Sequence, residues 1–110
     1  MRTISTADGT ARALSLLGLA RASGELIVGQ DNVFRARGAG RKLLVIVSRD
    51  CSENVLRRIG EDARLAADVS RESLGGALGL NNVQIAALPE GSGFAKKLKE
   101  LLRQGGTLNQ

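Results

Sequence analysis

The sequence predicts an α/β fold, a three-layer α/β/α sandwich around a small, mostly four-stranded mixed sheet. Three observations predict it. Stretches with apolar residues at helical spacing alternate with short apolar runs, in the order helix, strand, helix, strand, helix, strand, helix, strand, helix. The run Leu43-Leu44-Val45-Ile46-Val47 contains no polar residue, the pattern of a strand covered on both faces. A chain of 110 residues with no repeat or linker makes a single domain, with a core over about 11–104 and loose termini.

The elements follow in order. Ala13, Leu16, Leu17 and Ala20 share one helical stripe, so a helix runs over about 10–22, and Gly24 sits where a C-cap is expected. Leu26 to Val28 is a short strand broken by Gly29. A second helix begins near Gln30 and runs until Gly40 stops it. After the buried strand at 43–47, Asp50 and Glu53 have capping-box spacing. The helix they open carries Val55, Ile59, Ala63 and Ala66 on one stripe, and 65–69 reads both as its end and as a weak strand. Ser70 caps a short helix that ends at Gly79, and Val83 to Leu88 forms the next strand. Pro89-Glu90-Gly91-Ser92 is a turn tetrad. Phe94, Leu98, Leu101 and Leu102 give the last helix an apolar face that ends at Gly105, with Lys96, Lys97, Lys99 and Arg103 on its solvated sides.

Composition narrows the function. Two aromatics, Phe34 and Phe94, with no Trp or Tyr, argue against a single-strand binder, whose bases stack on aromatic platforms. Sixteen Lys and Arg against eleven Asp and Glu give a net charge of +5 and a pI near 10.4. A pI above about 9 is one mark of a nucleic-acid binder; a merely basic surface weighs about the same.

Catalytic chemistry finds little to use. With no His and one Cys, zinc sites and Ser-His or Cys-His pairs are excluded. Neighbouring acids Glu61 and Asp62 point about 100° apart on a helix and make no acid–base pair. Cys51 lies at a helix start, where a dipole favours a thiolate, but a small packing residue is the better reading. Neither GxGxxG nor GxxxxGK[ST] is present. The expectation is a chain that is not an enzyme, with no cofactor, metal or small-molecule substrate. Residues 1–10 lack a signal-peptide apolar core, the apolar runs are too short for a bilayer, and the one Cys permits no intrachain disulfide. A cytoplasmic location follows.

Residues 29–49 carry Arg35, Arg37, Arg41, Lys42 and Arg49 against one acid, Asp31. A helix starting there offers the N–H groups of Gly29, Gln30, Asp31 and Asn32 to phosphate oxygens. Asp31 and Asn32 can reach base edges, and Arg35, one turn on, can pair with phosphate or guanine. An ordinary helix cap beside a wet arginine surface explains the same residues.

Longer motifs then carry a resemblance. Ala13-Leu14-Ser15-Leu16-Leu17-Gly18-Leu19-Ala20-Arg21-Ala22-Ser23-Gly24 resembles the opening helix of the ribosomal L-seven-Ae and L-thirty-e superfamily, above all its short bacterial YlxQ-type members. Leu26-Ile27-Val28-Gly29, Asp50-Cys51-Ser52-Glu53-Asn54, Ser70-Arg71-Glu72-Ser73-Leu74-Gly75 and Gly93-Phe94-Ala95-Lys96-Lys97-Leu98 follow in the family's order. The resemblance implies an α/β/α sandwich that binds kink-turn RNA, in a ribosomal or other ribonucleoprotein assembly, with ribosomal RNA as one such partner. In that family a Gly-x-Asn-Glu-x-x-Lys run meets sheared G·A pairs. Here it corresponds to Gly29-Gln30-Asp31-Asn32-Val33-Phe34-Arg35, with Asp31 for the usual Asn, Asn32 for Glu and Arg35 for Lys. A second contact maps onto Leu80-Asn81-Asn82-Val83, where Leu80 and Val83 are expected to pack on splayed bases and Asn81 and Asn82 to bond to them. The second reading is a protein-interaction module that keeps this fold and has lost specific RNA binding.

Overall fold

The computed structural model describes residues 2–4, 7–60 and 64–104, with side chains at 10–60 and 68–101. Within these the chain forms β1 (Arg2–Ile4), α1 (Ala7–Ala22), β2 (Ile27–Val28), α2 (Gln30–Gly38) and β3 (Leu43–Val47). Then come α3 (Glu53–Ile59), β4 (Arg64–Ala67), α4 (Arg71–Ala77), β5 (Ile85–Pro89) and α5 (Gly93–Gln104). Glu61, Asp62, Ala63 and Gly105 lie outside the described residues, as do the side chains of Ala66, Leu102 and Arg103.

The strands form one mixed sheet in the order β1-β4-β3-β5-β2. The α/β class holds, but the expected four strands become five among the described residues. The addition is β1, which pairs in parallel with β4, Thr3 opposite Ala66. Three residues are too few to show an alternating pattern, so the sequence offers no sign of this edge strand. At the sheet centre β3 runs parallel to β4, Ile46 opposite Leu65, and antiparallel to β5, Val45 opposite Ala87. On the other edge β2 lies antiparallel to β5, Val28 opposite Ala86.

All five residues of β3 are buried, as their unbroken apolar run predicts. Because side chains alternate along a strand, the run feeds two cores. Leu44 and Ile46 pack with Leu17 of α1, Leu74 of α4 and Leu98 of α5. Leu43, Val45 and Val47 pack with Val33 of α2 and with Val55 and Ile59 of α3. Helices therefore cover both faces of β3. Each such aliphatic side chain contributes about 1.5–3 kcal/mol on burial.

Two local expectations are corrected. Asp50 does not cap α3: the N-cap is Ser52, whose hydroxyl accepts from the Val55 N–H at 3.4 Å. The helix stops at Ile59, and Ala66 lies in β4 rather than on the helical stripe. Pairing of β4 with β3 overrides the spacing there. Ser70 caps α4 as expected, accepting from the Ser73 N–H at 3.1 Å, and Ser92 does the same for Ala95 at 3.0 Å. No helix among the described residues is long and apolar enough to cross a membrane.

Candidate nucleic-acid interface

The first candidate segment begins where β2 ends. Gly29 takes φ 92° and ψ 150°, a left-handed region open to glycine, and turns the chain from β2 into α2. It has no side chain, so α2 starts without a side-chain cap. The first-turn N–H groups of Gln30, Asp31 and Asn32 therefore keep the capacity to meet an anion. The Gly29 N–H does not: it donates to the carbonyl of Ile85 at 3.0 Å, so the expected set of four is reduced by one.

Val33 and Ala36 bury one side of α2, which leaves Gln30, Asp31, Asn32 and Arg35 exposed on the other. Asn32 is already engaged. Its Nδ2 donates to the Val28 carbonyl at 3.0 Å, and its Oδ1 accepts from Arg35 Nη1 at 3.2 Å. In this arrangement Asn32 aims Arg35 and fastens the helix start to β2. Its amide is committed within the fold on both its nitrogen and its oxygen.

The second segment, between α4 and β5, folds onto α4. The Leu80 N–H donates to the Gly75 carbonyl at 2.7 Å, and the Val83 N–H to the Arg71 carbonyl at 3.0 Å. Gly75 permits this approach, since a Cβ there would collide with the Asn81 carbonyl. Leu80, Asn81 and Asn82 are exposed, and Leu80, at 37%, is one of the large apolar side chains left in solvent. Val83 is a correction. It is 5% exposed and packs in the core with Leu74 and Leu78, so no base can stack on it.

The Gly29–Ile85 bond joins the segments, because Ile85 follows the second one directly. Both lie at one end of the sheet. The predicted cations do not all follow. Arg41 and Lys42 precede β3 while Arg49 follows it, and a five-residue strand separates them by roughly 17 Å. Arg49 also faces Asp68 at 3.3 Å, which offsets its charge.

Sequence reasoning missed the bracing of this end. Gln84 accepts the Ser48 N–H on its carbonyl at 3.0 Å and the Ser52 N–H on Oε1 at 2.9 Å, tying the β3–α3 loop to β5. Asp50 accepts the Arg71 N–H at 2.8 Å, tying the same loop to α4. The available signal was one polar residue inside the apolar stretch 83–88. Among the described residues no three His, Cys, Asp or Glu side chains gather to hold a metal.

The chain's fold is shared with solved structures. It is similar to a protein of unknown function from Bacillus halodurans, with TM-score 0.73 and 28% identity, over 84% of this chain and 98% of that one. It also shares the fold of the Giardia lamblia 15.5kD RNA binding protein, with TM-score 0.68 and 16% identity, over 91% of this chain and 89% of that one. No protein-family model and no curated protein matches the sequence.

Proposed function

We infer that this chain is a non-catalytic, cytoplasmic RNA-binding module of the ribosomal L-seven-Ae and L-thirty-e type, close to its YlxQ-like members. It recognises a kink-turn-like element in structured RNA, as part of a ribosomal or other translation-associated ribonucleoprotein. One juxtaposition carries the reading: the uncapped start of α2, with Arg35 aimed by Asn32, stands beside the exposed Leu80-Asn81-Asn82 loop. The helix start and Arg35 suit phosphate and guanine, and an exposed Leu between polar neighbours suits a splayed base. A shared fold with a protein named for RNA binding and a net charge of +5 support it.

The test is a titration of the protein against a kink-turn RNA and a fully paired duplex at one fixed salt concentration. Tighter binding to the kink-turn, weakened roughly tenfold by Arg35→Ala or Leu80→Asp, is the expected result. Equal affinity for both RNAs would remove the kink-turn assignment. Absence of binding even at low salt would remove the RNA assignment and leave the interaction module.

A further inference from the structure

The last turns of the helices on one face of β3 carry four arginines, of which the site above uses Arg35 alone. α2 ends on Arg35 and Arg37, and α3 ends on Arg57 and Arg58. The two helices are stitched at these turns. The Arg58 guanidinium lies 3.9 Å from the centre of the Phe34 ring, and Arg37 Nη1 donates to the Arg58 carbonyl at 3.5 Å. Arg57 donates to the Asn54 side-chain oxygen and Arg35 to that of Asn32. Every one of these partners is neutral. Among the described residues, none of the four guanidinium groups has a carboxylate within 4.0 Å, whereas Arg49 and Arg71 each have one. The acids of these helices, Asp31 and Glu53, sit in the opposite, first turns. Glu61 and Asp62 follow α3 in the sequence, outside the described residues.

Helix dipoles favour a cation at each C-terminal turn. That explains one arginine per helix, not two on each with neutral groups holding their heads. Arg37, Arg57 and Arg58, brought together where the two helices are stitched, repel one another, and a ligand of closely spaced negative charge relieves the repulsion. Arg35, held by Asn32, projects from another side of α2 than Arg37, so the cluster shares a helix with the interface already described without being part of it. A duplex backbone supplies phosphates at regular short spacing, and guanidinium forks match their oxygens.

We propose that Arg37, Arg57 and Arg58 form a second phosphate-binding track, which grips the backbone of a duplex stem leading away from the RNA element held at α2. The proposal rests on the RNA-binding reading and adds a footprint to it. The track is blind to sequence: it lengthens the contact and orients the stem without reading bases.

The experiment uses the full chain and two kink-turn RNAs, one with a long flanking stem and one with that stem trimmed. The natural protein is expected to bind the long-stem RNA more tightly and with a steeper salt dependence. Arg57→Gln with Arg58→Gln should flatten the slope for the long-stem RNA by about two and weaken it at least about tenfold near 0.1 M salt. The same change should leave the trimmed RNA nearly unaffected. Arg57→Lys with Arg58→Lys keeps both charges and should restore most of the slope, which separates lost charge from lost packing on Phe34. If the natural protein binds both RNAs equally, or the Gln pair changes neither slope nor affinity while Arg35→Ala still weakens binding, the track is wrong and the α2 site stands. If the natural protein binds neither RNA, both readings fall together. If polyglutamate binds this face, is released by the Gln pair, and RNA binding is untouched, the face takes an acidic protein and the track is overturned.

Discussion

Asp50 and Arg71 clasp each other in both directions. The Asp50 carboxylate accepts the Arg71 backbone N–H at 2.8 Å, and the Arg71 guanidinium donates to the Asp50 backbone carbonyl at 2.6 Å. The pair locks the loop before α3 to the first turn of α4, next to the Leu80-Asn81-Asn82 loop that folds onto α4.

The clasp carries a pH signature. Partial desolvation pushes the Asp50 carboxyl up, but the Ser48 hydroxyl beside it, the Arg71 and Asp50 N–H groups and the Arg71 guanidinium together hold it below its ordinary value. The Ser48 oxygen is buried and does not reach hydrogen-bonding geometry, so its part is that of a nearby dipole. A carboxyl lowered in the folded state stabilises the fold above its unfolded pKa, and this is lost as pH falls through the folded one. Asp50→Asn should therefore be less stable than the natural protein at neutral pH. The gap should close as pH drops below about 4. Urea titrations across that range check it, and a gap independent of pH would refute a charge-based clasp.

Two adjacent glycines of α4 should respond in opposite senses. A methyl at Gly75 would meet the Asn81 carbonyl and the Asn82 nitrogen, while one at Gly76 would meet nothing within 4 Å. Gly75→Ala should cost about 1–3 kcal/mol by overpacking and weaken RNA binding by displacing the loop. Gly76→Ala should stabilise by about 0.5–1 kcal/mol through helix propensity and leave binding unchanged. Thermal melts and RNA titrations of both variants make the comparison.

Legibility in the sequence followed burial. The bounds of β3 are those of its apolar run, and Ser70 marked α4, because local pattern and tertiary environment agree there. Where they disagree the sequence misleads. Ala66 continues the spacing of Val55 and Ile59, yet it lies in β4, paired with Val47 of β3. Val83 was expected both to open the strand and, by the resemblance, to meet a base; the strand begins instead at Ile85, and no local feature distinguishes an inward from an outward Val beside it. The start of α2 was readable because Gly29 breaks the strand before it, whereas the loop at 80–82 was singled out only by the resemblance. The links between them, Gly29 to Ile85 and Gln84 to Ser52, join residues far apart in sequence and leave no local trace.

Cys51 should be a packing residue. It is partly buried beside the core formed by Val55 and Ile59. Cys51→Ser should cost about 1 kcal/mol of stability and leave RNA affinity unchanged. A folded variant that has lost RNA binding would instead assign the thiol a role in recognition.

Asp31 is the position where a single substitution should improve the site. It is exposed on the first turn of α2, beside the N–H groups proposed to meet phosphate. A carboxylate there accepts hydrogen bonds but donates none, and it repels a polyanion. Its benefit to the fold is the attraction to the helix N-terminus, about 0.3–1 kcal/mol. An amide donor restored at a base edge is worth ~1–3 kcal/mol, roughly tenfold to a hundredfold in affinity. The second term is larger, so Asp31→Asn should bind a kink-turn RNA at least about tenfold more tightly at a small loss of stability. Asn32 behaves differently. Its amide donates to the Val28 carbonyl at 3.0 Å, and a Glu in its place has no N–H for that bond. Adding Asn32→Glu to Asp31→Asn should therefore give back part of the gain, although Glu restores the residue usual in the resembled family. Titrations of the natural protein and both variants against the kink-turn and the duplex at one salt concentration decide it. A gain confined to the kink-turn supports edge recognition at position 31. An equal gain on the duplex would mean that only repulsion was removed. No gain on either would place the RNA contact away from the start of α2.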